Sequence, residues 1–236
     1  MRYVYSLAGV SLVLLAATAA QASFVAYNDF GGTESGYDGG YVTAFTGSAG
    51  GGLIDYDTGE SVGVSMSLSA AIDPGGGALT EGTPAYDYFH GCVNVDGYMY
   101  HDYRHPYTIT FTGLDPNKTY DVVLFGDEGV AGLETMNVYQ ILSADSFDNE
   151  SSGTISGDNN EIATMNVGYN TLTGYVAHYT NIRPGADGDF IIRIRAASED
   201  GIWCLNALRL STPEPSSLAL LGIGGMVLLR RRRFAS

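Results

Sequence analysis

The chain has 236 residues, 45% hydrophobic and 16% charged, which is enough apolar material for one generous domain or two small ones and excludes disorder throughout. Its 26 acidic residues against 11 basic ones give a formal charge of -15. Such a chain repels phosphates, so nucleic acid is excluded as a partner. Two cysteines, neither in a CxxC pair, rule out a disulfide-dense miniprotein and a structural zinc site, and 32 Gly with 17 Tyr tilt the composition toward strands and turns.

Arg2 opens a positive region, an apolar run follows over 4–20, and Ala20-Gln21-Ala22 supplies the small-x-small step of a signal cleavage site. The pattern predicts a signal peptide over 1–22 cut after Ala22, with Ala20 and Ala22 as its recognition residues. An uncleaved signal anchor is the alternative. If the ends are removed, six basic residues face 25 acidic ones over 23–212, a charge near -19. That acidity favours solubility at the cost of self-repulsion and draws divalent cations.

Between the ends the period is two. Val62, Val64, Met66 and Leu68 alternate with Gly and Ser; Tyr107, Ile109 and Phe111 alternate with Thr; Phe190, Ile192 and Ile194 face away from Arg193 and Arg195. These are half-buried antiparallel strands. Further strands are expected over 24–27, 41–46, 119–125, 136–142, 161–167, 174–181 and 202–210. Gly113-Leu114-Asp115-Pro116-Asn117-Lys118, Ser156-Gly157-Asp158-Asn159-Asn160 and Pro184-Gly185-Ala186-Asp187-Gly188 are turns. About ten strands and no sustained helical period predict an all-β class: one jelly-roll-like β-sandwich over 23–211, flanked by an N-terminal signal helix and a C-terminal hydrophobic helix.

The stretch 86–107 concentrates six Tyr and three of the four His. Flat aromatic faces suit sugar C–H groups and neighbouring polar side chains suit hydroxyls, which makes Tyr88, His90, Tyr100, His101, Tyr103 and Arg104 candidate ligand-binding residues. The plainer alternative is Tyr rings packed on the end of the sandwich. His101 and His105 stand four residues apart, too far along a strand for a tight metal pair. Asp and Asn cluster with Gly at Asn28-Asp29, at Asp55 and Asp57, over 145–150 and at Glu199-Asp200. None is the twelve-residue calcium loop, and no single cluster stands out. Cys92 and Cys204, both exported, are expected to bridge, with two buried free thiols as the alternative. No nucleophile elbow, zinc-protease motif or phosphate-binding loop occurs, so no catalytic residue is assigned.

Pro213-Glu214-Pro215 is followed by an apolar run over 218–229 and then by Arg230, Arg231, Arg232 and Arg233. The run falls short of the roughly 20 residues of a bilayer span, and the Arg cluster is a positive-inside stop. Over 212–236 this order resembles the PEP-CTERM sorting signal of Gram-negative bacteria; a simple membrane anchor is the alternative. The resemblance implies an exosortase as partner, transient anchoring in the inner membrane, removal of the tail, and delivery to the cell surface, outer envelope or extracellular matrix. The hairpin over 107–126 is similar to those of galactose-binding-like and fibronectin-like sandwiches. Trp203-Cys204-Leu205-Asn206-Ala207-Leu208-Arg209-Leu210 is similar to the last strand of many PEP-CTERM sandwiches. Related jelly rolls carry a structural calcium, which the resemblance implies as the one cofactor to consider. The expected function is a non-catalytic structural protein of the surface or exopolysaccharide matrix. A carbohydrate-binding module, calcium-dependent or not, is the alternative, and a hydrolase is a distant third.

Overall fold

The computed structural model describes residues 23–31, 39–45, 50–68, 72–73, 76–102, 105–199 and 201–213, with the backbone alone for 68, 72–73 and 101–102. The chain divides into two compact units, Ser23–Glu214 and a second formed by Met1–Ala22 and Pro215–Ser236. The second unit, and with it both expected terminal helices and the residues Ala20, Ala22, Glu214, Pro215 and Arg230 to Arg233, lies outside the described residues.

The described chain is all-β. Its strands are β1 (Val25–Asp29), β2 (Gly51–Ile54), β3 (Ser61–Leu68), β4 (Ile72–Asp73), β5 (Tyr98–Asp102), β6 (Tyr107–Thr112), β7 (Tyr120–Phe125), β8 (Met136–Leu142), β9 (Ser146–Asn149), β10 (Thr154–Ser156), β11 (Ile162–Asn166), β12 (Ala177–Arg183), β13 (Phe190–Ala196), β14 (Ile202–Leu205) and β15 (Ala207–Ser211), with one helix, α1 (Pro84–Phe89). One sheet runs β1-β15-β7-β12-β9, a second β10-β11-β8-β13-β6-β3-β2, and a third β14-β5-β4. Every strand pairing is antiparallel. Within them β1-β15-β7-β12 faces β6-β13-β8-β11, and successive strands from β6 to β8 and from β11 to β13 cross from one sheet to the other. That is the eight-strand jelly roll, with β9, β10, β3 and β2 added at sheet edges.

Alternation builds the interior. Phe190, Ile192 and Ile194 stand opposite Phe111, Ile109 and Tyr107, all fully buried, and the Phe111 and Phe190 rings stack at 4.7 Å. Val122, Leu124, Leu208 and Leu210 close the core from the five-stranded sheet. The Tyr179 hydroxyl reaches across the sandwich to donate to the Tyr139 and Glu161 carbonyls at 3.1 and 3.0 Å, so its burial leaves no unmet donor. A second apolar cluster lies on the outward face of the same sheet. There Tyr27, Val123, Phe125 and Ala207 are covered by Ala85, Phe89, Val93 and Val95.

Several elements depart from the sequence expectation. The span 202–210 is two strands, because buried Asn206 interrupts it to serve both sides. Its backbone N–H donates to the Phe125 carbonyl at 2.8 Å and its carbonyl accepts from Phe30 at 3.0 Å. Its side-chain oxygen accepts from the Asp127 N–H at 2.6 Å, and its amide donates to the Val95 and Asp127 carbonyls at 2.8 and 3.0 Å. Residues 41–45 form a single bridge, Asn28 to Thr43, in place of the expected strand. They dock through side chains: the Thr43 hydroxyl donates to the Tyr27 carbonyl at 2.7 Å, and Asn28 Oδ1 accepts from the Phe45 N–H at 3.0 Å. β12 begins at Ala177 rather than 174 because the Asn170 side chain captures the Tyr175 N–H and carbonyl, each at 2.8 Å. Fifteen strands replace about ten, the additions being short edge pieces such as β4, β9 and β10.

Replacing Asn206 by Ala strips partners from the Asp127 N–H and from two buried carbonyls. A loss of about 2–4 kcal/mol is expected, read as a lower midpoint in urea unfolding of the purified chain. A change below about 1 kcal/mol would show that water substitutes there.

Candidate functional site

Helix α1 places the aromatic stretch over the outward face of the five-stranded sheet. Thr83 caps it, accepting from the Tyr86 N–H at 3.4 Å with Pro84 in the first turn, a Thr-Pro start that the sequence carries and that a search for longer helical periods overlooks. Tyr86 and the C-cap residue His90 stack at 4.1 Å and 15°, and His90 is exposed. Tyr88 points down onto the sheet. Its hydroxyl lies 3.3 Å from His178 Nδ1, its ring meets the His178 ring at 5.2 Å, and the Arg209 guanidinium sits 5.7 Å from its centroid, a cation–π distance.

Strand register gathers the rest. Arg209 pairs with both Tyr27 and Val123, and Val123 pairs with His178, so one row crosses four strands. Glu150 Oε2 lies 3.9 Å from His178 Nδ1, with the histidine side chain only 12% exposed and the glutamate 61%. Burial holds the His178 pKa below the ordinary value of 6.5, against the upward pull of Glu150 and Asp121, so the ring is neutral at pH 7. Burial likewise raises Tyr88 and Tyr27, with the Cys92 thiol beside Tyr27 adding to its shift. The arrangement offers one aromatic wall with a guanidinium, an imidazole and carboxylates around it. Those groups can bind and orient a hydroxylated ligand.

The six expected ligand residues do not all converge. Tyr88 belongs to α1 and His90 is its C-cap, Tyr100 lies on β5 in the third sheet and packs edge-on to Tyr98 at 6.0 Å, and His101 is described in backbone only. Tyr103 and Arg104 lie outside the described residues. The residues that join Tyr88 instead, His178, Arg209, Glu150 and Asp121, are far away in sequence. Pairing register alone brings them in.

The expected Cys92–Cys204 bridge is not formed; both thiols are free. Cys204 is fully buried in the core between the sheets, where its Sγ lies 3.7 Å from the Val167 carbonyl. The Asn137 side chain clasps its backbone at 2.6 and 3.3 Å. Cys92 packs in the cluster on the opposite face of the five-stranded sheet, so the sheet itself stands between them. Alkylation of the unfolded, unreduced protein is therefore expected to modify two Cys per chain, and reduction to leave the melting temperature unchanged; a mass with no alkyl groups added would overturn this.

At two of the acidic clusters the carboxylates are already engaged by the protein. Asp55 engages both oxygens: Oδ2 accepts from the Val25 N–H of β1 at 3.2 Å, and Oδ1 from the Thr58 N–H and hydroxyl of its own turn at 2.9 Å each. Burial opposes ionisation of Asp55, but these hydrogen bonds outweigh it and lower its pKa. Asp29 caps Gly31 at 3.0 Å. Among the described residues no three of His, Cys, Asp and Glu gather closely enough to hold a metal.

Beyond β7, Asp127 is wholly buried and accepts from the N–H groups of Gly129 (3.0 Å), Asn170 (2.8 Å) and Ala78 (3.3 Å) and from the Thr171 hydroxyl (2.6 Å). Its neighbour Glu128 is only 6% exposed and has a buried Oε1 with no hydrogen-bond partner. Burial pushes its pKa from 4.5 to about 7, against a hydrogen bond from Thr135 and with a further rise from Asp127. A folded-state value above the unfolded one stabilises fully at low pH, and the contribution is lost as pH rises from about 4.5 through 7. The loss is on the order of 3 kcal/mol. Glu128→Gln is expected to flatten that part of the stability–pH profile from chemical unfolding. An unchanged slope would overturn the assignment.

The comparison with known families reaches the C-terminal segment. Residues 211–233 match the PEP-CTERM protein-sorting motif. The match begins at the last residue of β15, where Ser211 pairs with Val25 and Asp121. Thr212 then exchanges bonds with Phe24, its N–H donating to the Phe24 carbonyl at 3.2 Å and its Oγ1 accepting from the Phe24 N–H at 3.0 Å. The PEP-CTERM motif therefore leaves the domain directly from a sheet strand beside the start of the expected mature chain. It marks an exosortase-targeted exported protein and implies the cell envelope of Gram-negative bacteria. No curated protein and no solved structure matches the chain. No helix among the described residues is long and apolar enough to cross a membrane.

Proposed function

We propose that this chain is a non-catalytic structural protein of the cell surface or extracellular matrix, exported through its N-terminal signal and released from transient inner-membrane anchoring by exosortase cleavage. The observation that carries the reading is the PEP-CTERM match at 211–233, joined without a linker to a closed jelly roll. A domain whose termini are hydrogen-bonded strand neighbours keeps its shape when either end is trimmed, because the cuts fall outside the ladder. Intact mass of the protein from the surface fraction of an exosortase-bearing host is expected to lack Arg230 to Arg233 and everything before Ser23. Recovery of that fraction with Arg233 attached would sink the reading.

A second reading, carbohydrate binding at α1, is supported by the half-buried Tyr88 ring framed by Arg209 and His178. A polar ring of planar side chains around one aromatic is the chemistry a pyranose uses.

A further inference from the structure

The seven-stranded sheet buries one face in the core and turns the other outward. Register sets which residues share the outward face: Ser65 stands opposite Thr112, Thr110 opposite Ile191, Arg193 opposite both Thr108 and Gln140, and Arg195 opposite Val138. These side chains alternate with the buried ones in β6 and β13. Acidic residues outnumber basic ones 26 to 11 in the chain, yet none of the outward positions of β3, β6, β13, β8 and β11 is Asp or Glu. The charged side chains there are Arg193 and Arg195. Neither is ion-paired among the described residues. Arg193 donates from Nη2 to Gln140 Oε1, while its buried Nε has no partner. Arg195 donates to the carbonyl of Ala196 at 3.2 Å.

We propose that this outward face is a docking surface for an acidic, uronate-bearing polysaccharide. Charge complementarity selects an anion, since two arginines without an ion-pair partner among the described residues stand two residues apart on one strand, their Cα atoms about 7 Å apart, and a guanidinium matches a carboxylate with paired donors. The net negative charge of the chain does not prevent this. The sheet is roughly 30 Å across its seven strands, and at physiological salt charges beyond about 8 Å are largely screened. A linear glycan lying along the face therefore meets its local charge. The chemistry of the face also favours a glycan over an acidic protein. Ser and Thr hydroxyls and the Gln140 amide flank the guanidinium groups, interspersed with the apolar side chains of Val138, Ile191 and Met136, and the outward positions hold no aromatic anchor of the kind that carries most protein–protein affinity. This surface is separate from the Tyr88 site and does not depend on it.

The test is affinity electrophoresis of the full-length chain, expressed without exosortase and held in a neutral detergent, through gels containing polygalacturonate or dextran. Retardation by polygalacturonate that weakens with salt is expected, with Arg193→Gln/Arg195→Gln lowering affinity at least tenfold and Tyr88→Ala leaving it unchanged. Arg195→Gln alone, removing a side chain whose hydrogen bond among the described residues goes to a neighbouring carbonyl, is expected to weaken binding several-fold with an unchanged circular dichroism melt. Equal retardation by polygalacturonate in the Arg variants overturns the proposal. So does retardation by dextran that matches polygalacturonate. Retardation by dextran that only Tyr88→Ala abolishes overturns it while supporting the α1 reading. Arg-dependent binding of poly-glutamate as tight as that of polygalacturonate overturns the glycan assignment in favour of an acidic protein.

Discussion

The fold hangs on a small set of buried amides that do the work of missing strand pairings. At Asn206 the chain leaves the third sheet and enters the five-stranded one, and no regular ladder can serve both. The side chain supplies what is missing, linking the Val95 carbonyl to the N–H and carbonyl of Asp127. Asp127 in turn holds Ala78, Gly129, Asn170 and Thr171, and Asn170 holds Gly126 and Tyr175. Three loops and two sheets thus meet at saturated polar groups, each of which would cost about 1–3 kcal/mol if left alone. Asn137 does the same between β8 and Cys204. The apolar core supplies most of the drive to fold, but these side chains fix where its sheets end.

That division explains which parts of the fold were legible in the sequence. A strand half-buried in a sandwich writes its period directly into the chain, so 136–142 coincides with β8, and the alternations of Tyr107, Ile109 and Phe111 and of Phe190, Ile192 and Ile194 name the facing residues. A side chain that replaces a ladder writes nothing periodic. Asn206 looks like one more residue of a strand, and Asn170 like one more turn residue, until the partners are known. The departures cluster accordingly: 202–210 breaks at Asn206, 174–181 starts late after Asn170, and 41–46 shrinks to a bridge beside Asn28. The helix over Pro84–Phe89 is too short for a 3.6 period to establish itself, and its signal is the Thr83-Pro84 cap alone.

The site was less legible for a related reason. Composition singles out the 86–107 aromatics, yet composition is blind to which strand lies beneath them. Tyr88 meets His178 and Arg209 because α1 folds back on the outward face, while Tyr100 goes with β5 into another sheet. The cysteines make the same point. Cys204 and Cys92 belong to clusters on opposite faces of one sheet, and two thiols separated by a sheet cannot reach the Cα spacing of roughly 4.4–6.8 Å that a disulfide needs, however oxidising the compartment.

Charge distribution supplies the remaining step from fold to role. A secreted domain near -19 keeps itself soluble by repulsion, and that repulsion opposes any contact unless the charge is withheld from part of the surface. Strand alternation makes such withholding possible, because every outward position on a sheet can be chosen without disturbing the core beneath it. In the seven-stranded sheet the outward positions hold hydroxyls, an amide, two guanidinium groups and apolar side chains such as Val138 and Ile191, while Asp121, Asp148 and Glu150 lie on the strands and flanks of the other sheet. The jelly roll thus presents two outward faces of different character, one carboxylate-bearing with a single aromatic step and one cationic and broad. The two faces therefore offer different chemistry to whatever meets them.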